Sequence, residues 1–129
     1  MNSKKAVVAG HVISILASLM FVFSGVMKFK VSPELEQGFA HLGLPLSMRL
    51  PLALLELACV AVYLIPATAV LGAILLAGYV GGTIVTHWRV GDVVMVQILL
   101  GLLVWLGVYL REPRLRSVLP LRTSPTPQA

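Results

Sequence analysis

Met48 to His87 reads MRLPLALLELACVAVYLIPATAVLGAILLAGYVGGTIVTH, and Arg49 and Glu56 are its only Lys, Arg, Asp or Glu residues. A membrane-crossing helix needs about 20 apolar residues, with ~17 workable. The stretch is long enough for two such helices, and Pro66 divides it. Proline has no amide hydrogen and its ring clashes with the preceding turn, so it cannot continue a helix. The reading is therefore two spans, about 48–65 and 67–87, joined by a tight hairpin.

Working outward, Ala6 to Met27 contains no charged residue and follows Lys4-Lys5. A cleaved signal peptide begins in the same way, but its apolar core is about 7–15 residues and ends in a small-residue site. No Ala-x-Ala closes this stretch, so a retained span over about 6–27 is expected. On the other flank, Arg89-Val90-Gly91-Asp92 reads as a turn before a fourth span at about 93–110, with Asp92 expected to cap the free amides of that helix.

Between spans one and two, Ser32-Pro33-Glu34 has the form of a helix start: capping hydroxyl, proline at the first position, acid in the first turn. Leu35, Phe39 and Leu42 then recur at helical spacing until Gly43 and Pro45, which predicts a short amphipathic helix over about 33–42 lying in the membrane interface. The expected fold is an all-α membrane protein: a single four-transmembrane-helix bundle over 1–119. The Pro-, Ser- and Thr-containing segment 120–129 is expected to be a disordered cytoplasmic tail.

Composition agrees. The 129 residues are 58% hydrophobic and 12% charged, where a soluble domain carries about 25% charged residues. Ten Lys/Arg against five Asp/Glu could suggest a nucleic-acid partner. The charges instead cluster at span ends, where basic residues set orientation, and no nucleic acid is expected. Lys4, Lys5, Arg111, Arg114, Arg116 and Arg122 lie on one side; Lys28, Lys30, Arg49 and Arg89 lie on the other. The richer side, with both termini, is expected to be cytoplasmic. Arg49 and Arg89 read as interface anchors. A single cysteine, Cys59, excludes an internal disulfide and a Cys-x-x-Cys redox centre. His11 and His87 fall at opposite depths, so no haem is expected between them, and no metal-ligand spacing is present.

Ionisable groups at bilayer depth are costly and each needs an account. Glu56 lies roughly 10–12 Å inside its span. Ser24 and Lys28 end span one, Tyr79, Thr83 and His87 follow i, i+4 spacing in span three, and Gln97 opens span four. Antiparallel connection puts Ser24, Lys28, Glu56, Thr83, His87 and Gln97 in one layer, on the side away from the termini. Two readings stand side by side. One is a structural network with Glu56 paired to Lys28 or His87. The other is a polar pocket open to the outer face, binding a small or lipidic ligand or handling protons. Gly78 and Gly82 form a Gly-x-x-x-Gly pair and Ala73 and Ala77 extend the small residues. Close helix packing is expected there, within the bundle first and across a homodimer second.

Ser24-Gly25-Val26-Met27-Lys28-Phe29 is similar to the Ser-Gly-x-x-Lys-Leu segment of DoxX-like membrane proteins, with Phe29 in place of the usual Leu. His41-Leu42-Gly43-Leu44-Pro45, Leu55-Glu56-Leu57-Ala58, Tyr63-Leu64-Ile65-Pro66 and Thr86-His87-Trp88-Arg89-Val90-Gly91-Asp92 resemble that family's later segments in order, over about 6–111. The resemblance implies a small four-helix protein of the inner membrane, and maps the family's recurring Lys, Glu and His onto Lys28, Glu56 and His87. The wider group includes a subunit associated with quinone-coupled thiosulfate oxidation, members linked to membrane redox complexes, and distant animal relatives that act as assembly or trafficking chaperones. The expectation is an accessory component of a membrane redox or lipid-related process, with lipid around it and a quinone or lipidic ligand in its pocket. The alternative is a non-enzymatic chaperone or accessory subunit binding another membrane protein. A small oligomeric transporter ranks third, since no inverted repeat or broken helix is legible. Whether any reaction occurs is left open by the sequence.

Overall fold

The computed structural model describes residues 3–123. Five helices follow in order: α1 (Ser3–Met27), α2 (Pro33–Leu42), α3 (Arg49–Leu64), α4 (Ala69–Trp88) and α5 (Met95–Arg111). Short 3-10 turns, Leu46–Met48 and Pro66–Thr68, lead into α3 and α4. The four long helices run up and down in a ring in which α1 packs on α3 and α5, and α4 packs on the same two. One end of the bundle carries the Pro66 hairpin, the start of α1 and the end of α5. The other carries α2 and the α4–α5 turn.

The distribution of side chains is that of a protein in lipid. The buried positions include Ala17, Ala53, Ala73, Ser14 and Ser18, while Leu16, Phe23, Leu54, Leu71, Val85 and Leu102 face outward. In water the larger apolar side chains would be inside. Lipid offers no such drive, so small residues that let backbones approach take the interior. Three helical segments, Ser3–Met27, Leu46–Leu64 and Pro66–Trp88, are long and apolar enough to cross a membrane; the apolar α5, 17 residues long, completes the bundle at the short end of the usual range.

Local chemistry sets the boundaries. The Ser32 hydroxyl accepts from the Leu35 amide at 3.1 Å, Pro33 occupies the first turn, and Gly43 closes α2 at φ 69°, a left-handed conformation that glycine adopts without strain. Gly91, at φ 86°, does the same in the α4–α5 turn. The expected cap on the fourth span is different. Its N-cap is Val94, with no side-chain acceptor, and Asp92 does not reach the helix amides. The carboxylate is engaged by two histidines instead, and α5 starts at Met95.

The close contacts also lie elsewhere than expected. A Cβ added to Gly78 or Gly82 would meet no atom within 4 Å, so these glycines do not seat a neighbouring helix of the bundle. Ala73 is fully buried and Ala77 half-buried. The tight approaches occur at Gly10, Gly25, Gly72 and Gly107, where an added Cβ would come within 2.2–2.9 Å of another helix. Of the tail expected from 120 onward, Thr123 turns back to bond the Ser117 carbonyl, and residues 124–129 lie outside the described residues.

Candidate functional site

The α3–α4 pair is held hard at one end and open at the other. Near the Pro66 hairpin, the α-carbon of Tyr63 would be 2.2 Å from a Cβ on Gly72, and no room exists between the backbones. Two and three turns further along α4, Gly78 and Gly82 face empty space. That divergence opens a cavity of about 650 Å³, within the range of small-molecule sites. Its wall takes residues from all five helices. Leu52, Leu55, Leu75 and Leu100 give it a mostly apolar lining, and Phe39 and Leu42 of α2, with Leu44 after it, lie over it from the bundle end.

Glu56 is the polar centre of that wall. It is 2% exposed and its Oε2 is 2.8 Å from Lys28 Nζ, itself 14% exposed. Ser24 Oγ donates to the same oxygen at 3.3 Å and Tyr79 Oη at 3.1 Å. Lys28 also donates to the Ser24 carbonyl and hydroxyl, at 3.1 and 2.9 Å. An ion pair this deep persists because each charge meets its counter-charge and further hydrogen bonds. Its elements come from α1, α3 and α4, so it also ties three helices together.

A second cluster holds α2 in place. Asp92 Oδ1 is 2.8 Å from His41 Nε2 and Oδ2 is 2.9 Å from His87 Nδ1. A carboxylate only accepts, so each facing ring nitrogen carries the proton. These two hydrogen bonds, that from His41 first, hold the Asp92 carboxyl below the usual carboxylate range. Arg89 donates to the Leu42 carbonyl at the end of α2, and Arg49 donates to the carbonyls of Lys28 and Phe29, each at 3.0 Å, which fixes the turn after α1. The two expected anchors are thus loop clamps.

All six residues singled out in the sequence, Ser24, Lys28, Glu56, Thr83, His87 and Gln97, lie on the cavity wall. Glu56 pairs with Lys28 and not with His87, which belongs to the Asp92 cluster. Thr83 returns its hydroxyl to the Val80 carbonyl of its own helix at 2.8 Å. Gln97 has a buried amide oxygen with no partner. His11 bonds the Val7 carbonyl of its own helix at 2.8 Å from an exposed position. Tyr79, Phe39 and the Asp92–His41 contact were missed as parts of the site. Tyr79 had a signal, sharing the i, i+4 row of Thr83 and His87. The Asp92–His41 contact spans 51 residues and had none. No group of three or more metal-ligating side chains is present among the described residues.

The family model of the DoxX-like family matches residues 12–108. The chain belongs to the DoxX-like family. The matched segment runs from within α1 to within α5 and includes the Lys28–Glu56 pair, Tyr79 and the Asp92 cluster. It is a helical membrane protein of that family. No curated protein and no solved structure matches the chain.

Proposed function

We propose that this DoxX-like bundle binds a small apolar ligand from the surrounding membrane, and serves a lipid- or quinone-related process of the inner membrane as an accessory component. The supporting observation is the cavity of about 650 Å³ with a partnered ion pair in an otherwise apolar wall. Such a wall combines area for hydrocarbon with fixed polar groups that orient one end of a ligand. The excess of basic residues beside the termini supports an orientation with both termini in the cytoplasm and the cavity toward the outer face.

The test is mass spectrometry of the gently purified protein for copurified quinone, lipid and partner chains. A bound apolar molecule is expected, and Gly78→Leu or Gly82→Leu should displace it by occupying open cavity space while the bundle stays folded. A protein that carries a stoichiometric membrane-protein partner and no small molecule would instead have the chaperone role.

A further inference from the structure

We infer that the cavity selects a neutral apolar molecule with a hydroxyl donor at its head, in preference to an anionic lipid or a ligand that only accepts hydrogen bonds. This rests on the cavity being a ligand site, and follows from a count of its donors and acceptors. An ammonium has three hydrogens, and Lys28 directs them at Ser24 O, Ser24 Oγ and Glu56 Oε2. The hydroxyls of Ser24 and Tyr79 are spent on the same Oε2. Thr83 and Thr86 donate to carbonyls of α4 itself, and His87 Nδ1 is committed to Asp92. The strong donors of the wall are therefore used, apart from the Gln97 amide nitrogen.

The acceptors are not. Three donors converge on Glu56 Oε2, while Oε1 accepts from no described residue. Nor is Oε1 among the side-chain atoms sealed off without a partner, which are Ser18 Oγ, Gln97 Oε1 and Arg111 Nε. Oε1 therefore keeps some accessible surface, and Glu56 lines the cavity. Gln97 Oε1 is also unpartnered but has no accessible surface, so Glu56 Oε1 is the carboxylate acceptor that a ligand in the cavity can reach. Unused buried acceptors favour a ligand that donates. Lys28 is already neutralised by Glu56, so no free cation offsets the cost of burying an anionic head. A second ammonium would face the same cost. A neutral hydroxyl meets both conditions. For a quinone couple, the hydroquinone donates and the quinone only accepts, so the reduced form is the one held.

The experiment presents the detergent-solubilised full chain with dodecanol, methyl dodecyl ether and dodecanoate at equal concentration, and reads retention by native mass spectrometry. Dodecanol should be retained about tenfold over the other two, the worth of one hydrogen bond to a charged acceptor. A decyl hydroquinone should exceed its quinone in the same direction. A diacylglycerol run beside them identifies the source: the stronger of it and the hydroquinone names the hydroxyl lipid that fits. Equal or greater retention of the ether, the carboxylate or the quinone overturns the inference and leaves a ligand site of other selectivity. Retention of no probe overturns the ligand site itself. In the Lys28→Met, Glu56→Met double variant the dodecanol preference should fall to near parity; a preference that survives removes Glu56 from the role. Should that variant fail to accumulate, the headgroup series on the unaltered protein decides alone.

Discussion

The two ends of this bundle solve the burial of polar groups in opposite ways. At the Pro66 end, Tyr63 is 0% exposed and its hydroxyl lies 2.7 Å from the Val104 carbonyl and 3.0 Å from Ser14 Oγ. Arg111 donates to the Tyr63 carbonyl and sets its guanidinium 4.5 Å from the ring centre, so the exposed end of α3 is closed by a cation. Glycines there let backbones touch. At the α2 end, Gly78 and Gly82 of α4 border space, one carboxylate oxygen is crowded and the other vacant, and a separate short helix covers the opening. Rigid packing at one end lets the same four helices diverge at the other. A hollow in a bundle of this size needs such an anchor, because interiors otherwise close to high density.

The contrast is broken most severely at glycine. Gly72→Leu should abolish the folded protein, since even a Cβ there meets the Tyr63 backbone at 2.2 Å and neither backbone can yield. Gly82→Ala, ten residues along the same helix, should leave stability unchanged or raise it by up to about 1 kcal/mol, the helix-propensity gain of alanine over glycine. Unfolding in detergent titrated with denaturing surfactant measures both. Similar losses for the two variants would mean that α3 and α4 are equally close along their length.

A smaller effect is expected at the ion pair. Lys28→Met or Glu56→Met alone leaves an unpartnered charge at depth and should cost about 3–5 kcal/mol. Together they should restore most of that loss, because the apolar pair needs no solvation. The same unfolding assay closes the cycle. Additive losses in the double variant would show that the two side chains do not depend on each other, and that the 2.8 Å contact contributes nothing to holding α1 on α3.

The sequence carried the first of these regions poorly and the second well, for a physical reason. Charge is rare in a span, so Glu56 and Lys28 stand out, and antiparallel connection fixes their common depth without knowledge of packing. Glycine is ambiguous. Gly72 and Gly82 differ only in what faces them, and facing depends on the splay between helices, which no spacing rule encodes. The Gly78–Gly82 pair matched a packing pattern and borders a cavity; Gly10 and Gly107 matched none and make the α1–α5 contact. Asp92 was legible as polar and turn-adjacent, but its partners come from α2 and the end of α4, and two imidazoles outcompete the local amides of α5.

The smallest expected effect concerns the cover. Asp92 lies in the α4–α5 turn, at the surface, where His41 of α2 and His87 of α4 face it, with Arg89 beside it in the same turn. Its carboxyl is held below the ordinary value, so it binds fewer protons folded than unfolded. Its contribution is then complete above the ordinary carboxylate pKa of about 3.9 and is lost as pH falls through the lower, folded value. Hydrogen exchange along α2, corrected for intrinsic rates, should therefore be steady through neutral and mildly acid pH and quicken only below that range. Asp92→Asn keeps one oxygen but loses the charge that holds two imidazole donors, so α2 should exchange a few-fold faster at neutral pH. The gap between the two proteins should close in acid, because protonation makes the natural side chain resemble the amide. Exchange at the Pro66 end, where Tyr63 and Ser14 depend on no carboxylate, should respond to neither change. If the whole bundle loosened together, the cover and the anchored end would be one cooperative unit and the division between them would not hold.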